Sequence, residues 1–205
     1  MNTYMELSRR LQETFEQAAM ELCELDRKAG DGDHGLTISR GFRCAYEQVL
    51  SLDDDAEAAE VFKTIGYGML NSMGGASGPI FSTFFIQAAI VLNECKTFNG
   101  TALKDILMKT VKAIHDLADT DRGEKTMLDA LYGALDAVCE EVEDCVIFRK
   151  ASEGAKQGAE ATREMMATKG RAKFLQERSI GFLDAGSWSV YLILDTIAAV
   201  FGEDL

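Results

Sequence analysis

Apolar residues in this chain recur at steps of three and four almost without interruption, the spacing of helices that bury one face. Leu7, Leu11, Phe15, Ala18, Ala19 and Leu22 form one stripe and predict a first helix over 3–27. Ile38, Phe42, Tyr46 and Leu50 predict a second over 34–50. Asp53, Asp54 and Asp55 supply a polar start for a third over 55–72, carrying Val61, Ile65 and Met69. Ser77-Gly78-Pro79 opens a fourth that runs to residue 95, because serine caps well and proline is tolerated in a first turn. Phe98-Asn99-Gly100 breaks that helix, and four more are predicted over 101–118, 125–143, 145–167 and 188–201, with 168–185 irregular. No run alternates apolar and polar residues as a strand would. The fold class predicted is all-α, an eight-helix antiparallel up-and-down bundle or barrel, formed as one domain over residues 1–205.

That topology has a consequence for function. The connections after the first, third, fifth and seventh helices emerge at the same end, and these are the turns over 26–37, 73–79, 121–127 and 168–187. They hold the residues least easily explained by packing.

The first of them reads Asp26-Arg-Lys-Ala-Gly30-Asp31-Gly32-Asp33-His34-Gly35. Three carboxylates this close repel one another unless a cation sits among them, and an all-oxygen set suits Mg²⁺ or Ca²⁺ rather than zinc or copper. Gly30, Gly32 and Gly35 match the spacing of a dinucleotide loop, but the preceding segment is helical and Asp31 and Asp33 would repel a bare pyrophosphate. An EF-hand is also excluded: its fifth, sixth and twelfth positions would be Gly35, Leu36 and Phe42, not an oxygen ligand, glycine and glutamate. What remains is a flexible acidic turn for a divalent ion with phosphate completing its shell, or a solvated turn with aspartates at helix caps.

Gly74-Gly75-Ala76-Ser77-Gly78-Pro79 leads straight into a helix, where backbone N–H groups and the helix dipole make a phosphate cradle; tight helix packing explains the glycines equally well. It is not a Walker loop, since no Lys-Ser or Lys-Thr in the chain follows a glycine. His34 either meets a phosphate or serves the helix start, and His115 reads as packing. Lys125 and Thr126 are polar first-turn residues, and Met127 is either core or a soft surface for a base. The loop from Gly170 to Gly186 holds Arg171 and Arg178, cations able to offset charge on a phosphoryl group in transit.

Composition narrows the partners. A net charge of −13 argues against nucleic acid and anionic membranes, and makes any phosphate ligand depend on metal ions and local cations. One proline in 205 residues favours long helices. The five cysteines, without C-x-x-C spacing, read as buried apolar positions in a reducing compartment. The N-terminus lacks the order of a signal peptide, and the apolar run 80–92 is too short to span a bilayer, so a cytoplasmic protein is expected.

Taken together, Asp26-x4-Asp31-Gly-Asp33-His34-Gly35, Gly74-Gly-Ala-Ser77-Gly-Pro79, Lys125-Thr-Met127-x-Asp129 and Gly170-Arg171-Ala with Glu177-Arg-Ser-Ile-Gly181 and Asp184-x-Gly186 resemble the nucleotide-binding subunit of dihydroxyacetone kinase, DhaL, from end to end. The resemblance implies an eight-helix barrel with ADP or ATP at one end. It implies that Asp26, Asp31 and Asp33 hold two Mg²⁺ ions. It places His34, Gly35, Thr37, Ala76 and Ser77 along the phosphates and ribose, and completes the pocket with Met127, Arg171, Asp184 and Gly186, Arg171 in the catalytic role. In the phosphotransferase-system type of this enzyme, a DhaK subunit holds the ketone through a histidine and a DhaM phosphohistidine protein recharges bound ADP. A chain of this length resembles that separate-subunit type, and a homodimer is left open.

Departures from the family pattern cluster in the last loop. Where the family has Gly-Arg-Ala-Ser-Tyr-Leu-Gly-Glu-Arg-Ser, this chain has Lys173, Phe174 and Gln176; where it has His-Gln-Asp-Pro-Gly, this chain has Phe182, Leu183, Asp184, Ala185 and Gly186. Gly133 replaces a usual proline. These changes leave the metal site intact and fit a paralogous branch with another hydroxy-ketone, phosphodonor or partner. Two other readings stay open: a nucleotide-loaded regulatory module that docks a regulator without turnover, and a helical scaffold with a structural cation.

Overall fold

The predicted apolar stripes turn inward, with Leu7, Leu11, Phe15, Leu22, Ile38, Val61, Ile65 and Met69 wholly buried, except at the end of the second, where Leu50 is exposed past the helix end and Val49 is buried instead. The computed structural model describes residues 2–138 and 144–202, and among them the chain forms eight α-helices and no strand. They are α1 (Thr3–Asp26), α2 (His34–Val49), α3 (Ala58–Ser72), α4 (Ser77–Cys95), α5 (Gly100–Ala118), α6 (Met127–Ala137), α7 (Asp144–Ala161) and α8 (Ala185–Phe201). Each packs against its neighbours in sequence, and α8 returns to α1, closing an antiparallel up-and-down barrel. The hydroxyls of Thr14 and Thr196, 3.1 Å apart, tie that closing seam.

Helix boundaries shift where side chains intervene. The third helix starts at Ala58 rather than 55, because the Asn2 amide donates to the carbonyls of Asp54 (3.1 Å) and Ala56 (3.0 Å) and holds that segment as a loop. The seventh ends at Ala161, not 167, and passes into a short 3-10 turn, Thr162–Glu164. The eighth begins three residues early, at Ala185, since the Asp184 carboxylate accepts from the Ser187 N–H at 2.7 Å and caps it. The expected end of the sixth helix, 139–143, lies outside the described residues.

Aromatic rings run the length of the interior. Phe15 stacks on Phe42 at 4.4 Å, Phe42 meets Phe85 edge-on at 5.7 Å, and Phe62 leads through Phe98 (5.1 Å) to Phe201 (4.9 Å). Between Phe81, Phe84, Met127, Val190 and Ile193 only a void of about 10 Å³ remains, room for one water at most. The barrel is therefore filled by its own side chains. Helix α4 is apolar and long enough to cross a membrane, yet Phe81, Phe84, Phe85, Val91 and Leu92 are buried against its neighbours.

Two sequence readings of minor residues are corrected. Cys95 is exposed rather than buried; Cys23 is buried, Cys44 half-buried, and the side chains of Cys139 and Cys145 lie outside the described residues. His115 is not packed but exposed on α5, beside the Asp116 carboxylate at 3.3 Å.

Glycines set two close approaches. A Cβ on Gly133 would enter the carbonyl oxygen of Gly154, so at the position where the family has proline α6 lies almost on α7. A Cβ on Gly35 would fall within the Ala19 carbonyl of α1. Gly35→Ala is expected to force α1 and α2 apart and to cost about 3 kcal/mol, an overpacking penalty set against backbone rather than a flexible side chain. Thermal denaturation followed by circular dichroism checks this, and an unchanged midpoint would contradict it.

Candidate functional site

An up-and-down barrel gathers the starts of α2, α4, α6 and α8 at one end, beside the turns that follow α1, α3, α5 and α7. Each helix start presents unpaired N–H groups and about half a positive charge. That end therefore favours anions although the whole chain carries −13.

The acidic turn is built on the last residue of α1. The Asp26 carboxylate accepts from the backbone N–H of Gly32 (2.8 Å) and Asp33 (3.1 Å), folding the turn back over the helix end. Gly32 permits the reversal because its φ is +76°. In the result, one carboxylate oxygen from each of Asp26, Asp31 and Asp33 lies within 4.8 Å of the others. Partial burial and the neighbouring Asp31 and Asp26 carboxylates push the Asp33 carboxyl above its ordinary range. Asp31 moves the opposite way, because the Arg171 guanidinium pairs with it from across the loop. Such a cluster, all oxygen and partly hydrated, fits a hard divalent cation.

Helix capping divides the four starts into two kinds. Thr126 caps α6 in a reciprocal box with Asp129, and Asp184 caps α8. The starts of α2 and α4 receive no side-chain cap, although Asp33 stands at the α2 cap position. Its carboxylate is turned instead into the acidic cluster. At α4 the cap residue is Ala76, preceded by exposed Gly74 and Gly75 with open space beside them. Two helix starts with free N–H groups thus flank three carboxylates, an arrangement suited to a phosphate bridged to a metal.

The remaining predicted residues fall into distinct places. His34 is buried, its ring nitrogen pushed below its ordinary pKa by that burial, and Nε2 lies 2.8 Å from the Ser189 hydroxyl of α8 and its ring 5.6 Å from Phe81 of α4. It joins three helices from beneath the site, a role that neither sequence reading, phosphate contact or service at the helix start, described. Gly35 serves the α1–α2 approach described above. Thr37 lies half-buried in the first turn of α2, and Ser77 likewise opens α4. Met127 and Gly186 adjoin: a Cβ on Gly186 would sit 3.4 Å from the Met127 methyl and 3.1 Å from the Asp184 carboxylate. Met127 also borders the core void, so one side of it is core and the other faces the Asp184–Gly186 turn.

A buried staple beside these residues is built on Lys125, the first residue of the Lys-Thr-Met motif, whose partners the sequence did not indicate. Lys125 is 3% exposed and donates through Nζ to the carbonyls of Thr162 and Phe182, with the Phe182 ring 4.9 Å away. It is thus committed to backbone. Thr162 in turn accepts from the Asp184 N–H at 3.0 Å, and the Ser187 hydroxyl donates to the Thr126 carbonyl at 2.6 Å. Helix α6 starts at Met127 rather than 125, so Lys125 and Thr126 precede its first turn and Thr126 is its cap; neither that cap nor these partners, 22 to 61 positions apart, were legible in the sequence.

The lid over the site, residues 163–181, carries five basic side chains against two acidic ones. Phe174 at its tip is 75% exposed. A larger open cleft of about 790 Å³ lies at the far end of the barrel, but its polar groups satisfy one another: Lys96 pairs with Glu57, and Asn2 with the 54–56 loop. The charged end is the better candidate.

The sequence model of the DAK2 domain matches residues 28–199. The chain belongs to the DAK2-domain family. It is 33% identical over 193 residues to the ADP-binding subunit DhaL of the PEP-dependent dihydroxyacetone kinase of Escherichia coli, covering 92% of this chain and 91% of that one. A corresponding DhaL subunit of Listeria innocua is 35% identical over 173 residues, covering 84% and 82%. Among solved structures, the dihydroxyacetone kinase of C. freundii in complex with AMP-PNP and Mg²⁺ superposes with a TM-score of 0.74 at 25% identity, over 97% of this chain but 34% of that larger one. The barrel is thus a DhaL-type fold.

Burial pushes the Asp184 carboxyl up to about 6, against 3.8 in the unfolded chain. A carboxyl with a raised folded value costs stability when ionised, and that cost disappears as pH falls through 6 toward 4. Relative to Asp184→Asn, the wild-type protein is expected to gain up to about 3 kcal/mol between pH 7.5 and 4. Urea titrations of both proteins across that window measure it; parallel stability curves would contradict it.

Proposed function

We propose that this DAK2-domain chain is the nucleotide-binding subunit of a kinase for dihydroxyacetone or a related hydroxy-ketone, holding ADP/ATP with two Mg²⁺ ions. The observation that carries the reading is the juxtaposition of three carboxylates within 4.8 Å with two uncapped helix starts, in a fold shared with a kinase solved with AMP-PNP and Mg²⁺. In this reading the ketone is held by a DhaK-type partner subunit in the cytoplasm, and a DhaM-type phosphohistidine protein recharges ADP. The names of the E. coli and L. innocua relatives, both PEP-dependent, support that donor over free ATP.

Each residue then has a task. Asp26, Asp31 and Asp33 would hold the Mg²⁺ ions, and three carboxylates against two dications leave about +1 for the phosphates. Bound Mg²⁺ would supply charge neutralisation of the phosphoryl group in transfer. The N–H groups at the starts of α2 and α4, with Thr37, Ala76 and Ser77, orient phosphate oxygens. Met127, Gly186 and Asp184 wall the nucleoside, Met127 giving a polarisable surface to the base. Arg171 is the catalytic residue: it already reaches the acidic turn at Asp31 and would stabilise charge spreading over the transferred group. No side chain here need form a covalent bond to phosphate.

Asp31→Ala or Asp33→Ala is expected to abolish nucleotide retention while helicity persists, since both side chains are exposed. ADP released on denaturing the purified variants measures retention, and wild-type amounts would contradict the assignment. Arg171→Gln should still bind ADP with Mg²⁺, with faster exchange, but lower phosphoryl transfer about a hundredfold or more in assays with the DhaK-type partner. Unchanged turnover would remove Arg171 from the catalytic role.

A further inference from the structure

The lid contains a backbone conformation that its residue does not suit. Between Ala172 and Ser179 the chain makes two short 3-10 turns broken at Gln176, whose φ of 51° and ψ of −129° lie in a region populated essentially by glycine. The family pattern has glycine there. The Gln176 side chain is exposed, so no packing contact explains the substitution. What holds the kink is Ser179, wholly buried, whose hydroxyl donates to the Gln176 carbonyl (2.5 Å) and accepts from the Ala167 N–H (2.8 Å). The Gly181 N–H, bonded to the Arg163 carbonyl at 2.7 Å, anchors the same root to the 3-10 turn that follows α7. On the other side of the kink, five residues away, Arg171 reaches Asp31.

We propose that Gln176 and Ser179 form a strained hinge that positions Arg171 against the acidic turn. The strain is held by the Ser179 clamp at one end and by the Arg171–Asp31 pair at the other. Release of either end frees the lid segment 170–178, between Lys169, held at the Asp119 carbonyl, and Ser179, so this chain opens that segment more readily than one with glycine at the kink. Gln176 and Ser179 are positioning residues; Arg171 is the group they aim. The effect on nucleotide exchange rests on the nucleotide-binding reading above, whereas the hinge itself does not.

The test compares wild-type protein with Gln176→Gly, Gln176→Ala and Ser179→Ala, each also in an Arg171→Gln background. Hydrogen exchange of the lid amides is read without nucleotide, and release of a fluorescent ADP analogue with Mg²⁺ present. Gln176→Gly relieves the strain and is expected to slow both about threefold or more, the relief outweighing the added freedom of glycine in the open lid. Gln176→Ala retains a Cβ and should match wild type, and Ser179→Ala should speed both about tenfold. In the Arg171→Gln background the slowing by Gln176→Gly should vanish, because the hinge acts through that arginine. Unchanged lid exchange in Gln176→Gly, or slowing that persists without Arg171, overturns the proposal. Failure of wild-type protein to bind the analogue overturns the nucleotide reading, and lid exchange in the same variants still decides the hinge.

Discussion

Three carboxylates held within 4.8 Å cannot all remain charged without compensation, and much of this end of the barrel is organised around that fact. Two backbone N–H groups are spent on Asp26, and the lid arginine is spent on Asp31. Asp33 gives up capping α2 to join the cluster, leaving that helix start open. The same crowding that would destabilise an ordinary turn makes this one a site for cations, and the open helix starts beside it make the neighbouring space a site for anions. Opposite requirements, for a metal and for a phosphate, are thereby met at the same end of the barrel.

The barrel supplies this pairing through topology alone. Strict antiparallel alternation puts four helix starts and four helix ends on one face, so the acidic turn at the end of α1 adjoins the starts of the even-numbered helices. Rigidity comes from below. The filled aromatic interior, the buried His34 joining α2, α4 and α8, and the Lys125 staple fix the floor of the site. The lid above carries exposed Phe174 and Arg171, with Ala167 and Ser179 buried at its roots. A fixed floor and an exposed arginine suit phosphoryl transfer, where positioning and charge stabilisation do most of the work.

Helix order, the location of the four turns and the acidic trio were all legible in the sequence, because each rests on local spacing: apolar steps of three and four, and glycines between aspartates. What could not be read was pairing across the barrel. His34 finds Ser189 at a separation of 155 positions, and Lys125 finds Phe182 at 57. No periodicity reports such contacts. The start of α3 was misplaced for the same reason, since the amide that holds residues 54–56 as a loop belongs to Asn2. Gln176 shows the converse, a departure visible in the sequence whose meaning as backbone strain required the structure.

Titration calorimetry of ADP into the protein, first with Mg²⁺ and then after chelation of divalent ions, addresses the core of this account most directly. If the acidic turn bridges cations to a diphosphate, ADP binds tightly with Mg²⁺ and its affinity collapses without it, since bare carboxylates repel the phosphates. Equal affinity in both conditions would mean that the nucleotide is held elsewhere, and the site described here would lose its function.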